Sequence, residues 1–240
     1  MFSNYEVPRE LLDPLVPRGT ELDDWNGAFL ASLVGFRFAD TRVLGFSVPG
    51  HRTFEEVNLR FYVRRRAPDG SLRRGVVFVR ELVPRAAIAL VARALYNEPY
   101  LSVPMHHRTT LDEARGGHAE YGWTLAGERF VLSGTAEGAM APLEPGSEAE
   151  FITEHYFGYT RQRDGGTLEY EVEHPRWRVW TASASAFEGH AATLYGARFA
   201  EILARPPRTA YLALGSEISV RRGTRLPVLR GGTRRPSPPK

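Results

Sequence analysis

The 240 residues suffice for one large domain or two small ones, with the apolar and charged fractions of an ordinary globular protein. The chain has no cysteine, which excludes disulfides, thiolate zinc sites and cysteine nucleophiles, and no run nears the roughly 20 apolar residues of a membrane span. Residues Arg221–Lys240 hold seven basic groups and no acid; subtracting them from the net +3 leaves residues 1–220 at −4, so no nucleic-acid partner is expected for the folded body.

In chain order, the pattern predicts a short helix over 8–13 opening on Pro8 and a strand over 27–37. Val57, Leu59, Phe61 and Val63 then alternate with Asn58, Arg60, Tyr62 and Arg64, and Pro68-Asp69-Gly70 turns the chain into the run Gly75–Val79. One face of this hairpin is apolar and the other carries Arg60 and Tyr62. A helix over 84–97 follows, with Pro84 in its first turn; Arg93 is its only charge between Ala86 and Tyr96, which predicts cover on nearly all sides. A second hairpin spans 121–134 with Gly127 near its turn, and a third spans 154–174 around Asp164-Gly165-Gly166. Strands are expected at 177–182 and 209–221, and a helix over 193–204 stops before Pro206-Pro207.

No βαβ rhythm appears, so the sheet is read as mostly antiparallel in a mainly β (α+β) fold. One buried helix in so much sheet implies a large antiparallel sheet curled into a barrel or cone around it, a shape that encloses ligand-sized cavities. The domain is expected over 1–220, with 221–240 a Pro/Gly/Arg tail too polar to order itself.

The segments "NYEVPRELLDPLVPRGTELD", "SLVGFRFADTRVLG", "FEEVNLRFYVRR", "GVVFVRELVPR", "FITEHYFGY" and "EYEVEHPRW" together resemble the YqjF-like bacterial family of unknown function, from the first residue to about Val220. More remotely, the chain is similar to acetoacetate decarboxylase, whose fold is a large antiparallel β cone around an enclosed active site. The resemblance places that enzyme's active-site glutamate on Glu56, and sets "VRELVPR" beside its Arg-Glu-Leu motif, which a proline and two adjacent lysines follow. The arginine that holds its substrate carboxylate falls just before Met1, which implies an incomplete N-terminal strand and a less covered neighbouring strand edge.

That enzyme works through a lysine imine, and a lysine amine in a pocket is kept neutral by desolvation and a neighbouring cation. Here the two lysine positions fall on Arg85 and Ala86, or on Ala87 and Ile88 in the other register, and the chain's one lysine is Lys240. Arginine stays protonated and does not condense with ketones, so residue type excludes imine chemistry.

Glu56 is then the candidate catalytic acid–base group if it is buried, against an ordinary exposed strand-end glutamate paired with Arg52 or Arg60. Candidate ligand-binding residues are Arg60, Tyr62, Arg80, Glu81, His155 and Tyr159. Arg80 and Glu81 equally fit a structural ion pair at the helix entrance. In "TEHYFGY", Thr153, His155, Phe157 and Tyr159 share one strand face, which puts polar tips into a cavity or builds an aromatic core cluster. His106 and His107 are adjacent and face apart, with no metal-binding spacing, so no metal and no cofactor are expected.

The functional reading is a cytoplasmic protein with a small-molecule pocket for a carbonyl- or carboxylate-bearing ligand. The alternatives are a lysine-independent acid–base enzyme acting on a keto acid and a structural protein using its arginine-rich tail. No membrane partner is expected, and a homo-oligomer is expected by analogy alone.

Overall fold

The computed structural model describes residues 1–39, 53–87, 89–90 and 97–227, together with the backbone of 42–43 and 46–47. The chain begins with β1 (Phe2–Glu6), α1 (Arg9–Leu12) and a tight turn at Asp13–Leu15, then β2 (Glu21–Leu22), β3 (Leu30–Phe38), β4 (Arg42–Val43) and β5 (Phe46–Ser47). The long hairpin β6 (Phe54–Arg66) and β7 (Leu72–Val83) is followed by β8 (Tyr100–Ser102), β9 (Met105–Asp112), β10 (Gly116–Leu125), β11 (Glu128–Glu137) and β12 (Ala141–Pro142). Then come α2 (Glu148–Thr153), β13 (Phe157–Arg161), β14 (Thr167–Glu173), β15 (Arg178–Thr181) and β16 (Ala184–Glu188). The chain ends in α3 (Ala192–Tyr195), α4 (Ala197–Leu203), β17 (Thr209–Leu212), β18 (Ser219–Val220) and β19 (Thr224–Arg225).

The hairpin turns are written in residues that accept positive φ. Gly70 closes β6–β7 at φ 85°, and Ala126 and Gly127 (φ 51° and 83°) give β10–β11 the two left-handed residues of a type I′ turn. Ser147 caps α2, its hydroxyl accepting from Glu150 N, while the Glu150 carboxylate accepts from Gly146 N.

Among the described residues, a thirteen-stranded sheet runs β12-β15-β17-β1-β3-β6-β7-β13-β14-β18, with β2, β8 and β19 on its flanks; a second sheet runs β16-β11-β10-β9. Pairing is antiparallel except where β7 meets β13 and β8, both parallel, so the large sheet is mixed and open rather than closed. Val57, Leu59, Phe61 and Val63 face the second sheet and pack with Trp123, Phe130 and Leu132. The opposite face of β6 is buried too: Tyr62 packs there with Phe151 and Ile152 of α2.

Several expectations change. The second sheet packs on the apolar face of β6, and in the described first turn of the 84–97 helix Ala86, Ala87 and Leu90 are exposed, Leu90 at 67%, while Ala89 is buried. Residues 88 and 91–96 of that helix lie outside the described residues, as do 228–240 of the tail. The 193–204 helix is two helices because Gly196 stands at φ 80° between them. Residues 219–226 stay on the sheet, where β18 and β19 pair with β14 and Arg225 meets Asp164 at 2.5 Å. At the N-terminus β1 lies between β3 and β17, paired on both edges.

Candidate functional site

Strand alternation puts Glu56, Asn58, Arg60 and Tyr62 on one face of β6, opposite the apolar row. A register shift in the β6–β7 ladder pairs Leu59 with Arg80 but Arg60 with Phe78, leaving Val79 as an extra residue. Asn58 therefore lies opposite Glu81, and Glu81 lies opposite Tyr100 of β8, so the three form a row across three strands. Glu56 and Glu81 are each 2% exposed and Asn58 is 1% exposed.

The row is hydrogen-bonded. Asn58 Nδ2 donates to Glu56 Oε1 at 3.0 Å and the Tyr100 hydroxyl donates to Glu56 Oε2 at 3.1 Å. Tyr100 and Glu98 both bond Glu81. Glu98, 5% exposed, accepts on Oε1 from the hydroxyls of Thr160 and, at 3.0 Å, Tyr170. Tyr170 reaches that oxygen by packing against Gly158, where a Cβ would collide with the ring's Cζ.

Three carboxyls so placed cannot all ionise. Burial pushes Glu56 up to about 7, although its bonds from Asn58 and Tyr100 and the Arg60 charge pull the other way. Burial likewise raises Glu98 to about 7 against its bonds from Thr160 and Tyr170. Burial, then the charges of Glu98 and Glu56, lifts Glu81 well above the ordinary carboxyl range, which favours its protonated form. Burial also keeps Tyr100 and Tyr170 neutral.

Beside this row the sheet forks. β13 pairs with β7 only at Gly75 and Val76 and β8 only at Glu81–Val83, so neither strand pairs with residues 77–80 on that edge. The gap is a cavity of about 210 Å³ lined by Val77, Phe78 and Val79 of β7, Asn97, Glu98 and Pro99 before β8, Tyr159, Thr160 and Arg161 of β13, and Leu15. Glu98 is the carboxyl that reaches it; Glu56 and Glu81 lie behind.

Of the residues read from sequence, the structure joins Glu56 and Glu81 in one network and sets Arg60 on the same face. The Arg60 Nη2 donates to Ile152 O at 3.3 Å and its guanidinium lies 5.4 Å from the Phe2 ring and 5.8 Å from the Tyr62 ring. Arg80 points to the other face with Leu59, towards Tyr195, so no ion pair with Glu81 forms. His155 and Tyr159 do not share a face. Helix α2 runs through Thr153, so the two-residue alternation starts only at Phe157 and His155 lies in the connection.

His155 instead joins Tyr62 in a second cluster, its ring 4.6 Å from that of Tyr62 and its Nε2 3.3 Å from Asp23 Oδ2, which also accepts from Arg74 Nε at 2.7 Å. Burial lowers His155 to about 4 despite the Asp23 carboxylate. The Tyr62 hydroxyl meets Ser32 Oγ at 2.6 Å. Tyr159 sits in the main core and also walls the cavity. His106 and His107 do face apart, His106 over Gly122 and His107 with Nδ1 2.6 Å from Glu55. Among the described residues no His, Asp and Glu group is arranged to hold a metal.

Sequence reading missed Asn58, Glu98, Tyr100, Thr160 and Tyr170. The available signal was "YNEPY", where Asn97 takes φ 58° and Pro99 stiffens the chain beside a lone acid that closes an apolar stretch.

Known proteins share both chain and fold. Residues 1–217 match the DUF2071 family of uncharacterised conserved proteins. The chain is 29% identical over 192 residues to the uncharacterised protein YqjF of Bacillus subtilis (strain 168), covering 77% of this chain and 73% of that one. Its fold is similar to acetoacetate decarboxylase from Legionella pneumophila, with TM-score 0.63, 14% identity, and 94% and 83% of the two chains covered. It is also similar to the enduracididine biosynthesis enzyme MppR complexed with pyruvate, with TM-score 0.58, 14% identity, and 91% and 81% covered. A mainly β chain with a forked large sheet, matched by one family model along nearly its whole length, belongs to the DUF2071 family and has an acetoacetate decarboxylase-like fold.

Proposed function

We propose that this protein binds a small carbonyl compound at the fork of the large sheet, with Glu98 at the cavity and Glu56 and Glu81 as the buried proton store behind it. The observation that carries the reading is the bonded chain of three buried carboxyls ending at a cavity wall. Burying such groups is costly, and a surface of this kind, apolar with a few convergent polar groups of shifted pKa, is what ligand sites commonly use. The MppR neighbour is described in complex with pyruvate, which agrees with a carbonyl ligand for the fold. The chain's one lysine is Lys240, outside the described residues, and the described residues at the fork include no lysine, so the reading is built without an imine.

A second reading is lysine-independent acid–base catalysis at the same site. What favours it is that burial brings Glu56 and Glu98 to about 7, where a carboxyl both gives and takes a proton.

A thermal-shift screen of wild type and Glu56→Gln against ketones, keto acids, hydroxy acids and aromatic carboxylates tests both readings. At least one carbonyl compound is expected to raise the wild-type melting temperature and to raise that of Glu56→Gln less. If no compound stabilises either protein, the pocket reading fails. The catalytic reading adds solvent deuterium uptake next to the carbonyl of the bound compound, abolished in Glu56→Gln.

A further inference from the structure

Backbone as well as side chains face the fork. In an antiparallel pair, successive residues point their N–H and C=O groups alternately towards the partner strand and away from it. Tyr62 O accepts from Asp23 N at 3.0 Å, so Tyr62 turns its backbone groups away from β7, and Arg60, two residues earlier, does the same. Their opposite numbers on β7, Val76 and Phe78, therefore turn theirs away from β6 and towards the fork. Beyond the extra residue Val79, Glu81 also faces outward, its N–H donating to Pro99 O at 3.3 Å. Val76 is met by Gly158 of β13 and Glu81 by Tyr100 of β8. Phe78 stands between them with neither strand beside it, and it lines the cavity.

Two residues before β8 account for the gap. A parallel strand beside Phe78 would have to supply one N–H and one C=O. Continuing β8 backwards puts Pro99 where the N–H is needed, and proline has none. The C=O would come from Asn97, which at φ 58° turns the chain out of the strand direction. Side chains then hold the opening: Asn97 Nδ2 donates to Arg161 O at 2.8 Å, and Glu98 accepts from the hydroxyls of Thr160 and Tyr170. The segment before β8 is thus tied to β13 and β14 rather than to β7. The N–H and C=O of Phe78 have no partner among the described residues, and such groups are costly to leave unmatched where water is restricted.

Resting on the pocket reading, we infer that the fork takes an N-acylated amino-acid unit in extended form, which pairs its own N–H and C=O with those of Phe78. One extended residue carries a donor and an acceptor on the same edge, the complement of what Phe78 offers, whereas a ketone or an ionised keto acid offers acceptors alone. Residues 77–80 span about 13 Å at roughly 3.3 Å each, enough for one such residue and the peptide group on either side. Leu15, Val79 and Pro99 give the slot an apolar wall. Charge does not choose the ligand, because Glu98 and Arg161 both line the cavity. A free N-acyl amino acid and a short stretch of peptide share this chemistry.

Calorimetric titration of the wild-type protein with N-acetyl-L-valine methylamide and with its ester analogue, in which oxygen replaces the valine N–H, tests this. The amide is expected to bind, and the ester to bind at least about fivefold more weakly, the scale of one lost hydrogen bond that leaves two acceptors facing each other. In proton–nitrogen NMR the Phe78 amide should exchange readily in the free protein and be protected at least about tenfold in the complex. N-acetyl-L-valine and the tripeptide Ala-Val-Ala, titrated alongside, separate the two sources: preference for the first assigns a free acyl amino acid, preference for the second a peptide, and either upholds the pairing. Equal affinity for amide and ester, or an unmoved Phe78 amide in a complex that forms, overturns the inference and leaves the pocket reading standing. So does a failure of all four compounds to bind while a ketone or keto acid raises the melting temperature in the thermal-shift screen. A blank in both experiments removes the pocket reading itself.

Discussion

Glu56 and His155 are buried titratable groups whose contributions to stability run in opposite directions with pH. Glu56 moves from an ordinary value of 4.5 to about 7, so between those values the folded protein keeps a proton that the unfolded chain has released. Its contribution is complete below about 4.5 and is lost as pH rises through 7. His155 moves from 6.5 to about 4, so below 6.5 the unfolded chain binds a proton that the folded one refuses, and stability falls with pH towards 4. Urea unfolding across pH 4–8 should show Glu56→Gln losing less stability than wild type as pH rises from about 4.5 to 7; equal slopes would contradict a buried Glu56. Gly158→Ala acts through a neighbour. The new methyl meets the Tyr170 ring, which should cost about 1–3 kcal/mol by overpacking. It should also raise the pKa of Glu98, because the Tyr170 bond lowers it. Carboxyl NMR reads that shift, and an unmoved Glu98 resonance in a folded variant would count against the contact.

Helix α2 has six residues, and its start depends on one hydroxyl. Ser147→Ala removes the bond to Glu150 N and should cost about 1 kcal/mol, a fall in melting temperature of roughly 2–4 °C. A larger loss would mean that α2 also anchors the His155–Tyr62 cluster beneath it. This helix shows where the sequence is legible and where it is not. The hairpins around Gly70, Gly127 and Gly165 can be read because their turns are local and need positive φ. The Ser147–Glu150 capping pair is equally local, yet the alternating residues after it read as one continuous strand and conceal the helix end at Thr153. Glu56 could be singled out by resemblance, whereas Glu98 and Tyr170 could not: they meet Glu56 only through the parallel pairing of β7 with β8 and β13, which no short window records. In the described start of the 84–97 segment, an apolar sequence predicts burial, and Leu90 is exposed all the same.

At the scale of the molecule, two sheets share one core, and their spacing is set where small residues let aromatic rings approach. Gly35 of β3 faces Tyr121 of β10, and a Cβ at Gly35 would stand 2.6 Å from the Tyr121 ring. Gly35→Ala should therefore destabilise the whole protein by about 1–3 kcal/mol in a single transition, because both sheets unfold together; two separated transitions on chemical denaturation would show that they do not. The same unity bears on how the protein is made. β1 is translated before both of its neighbours, β3 and β17, with Phe2 opposite both Val34 and Tyr211. On the ribosome its second edge stays open until about 200 further residues have emerged. Long-range pairing of this kind is slow and leaves strand edges exposed to other chains meanwhile. The large sheet is thus completed only once β17 has been made, and a chain terminated before β17 lacks the strand that pairs with the second edge of β1.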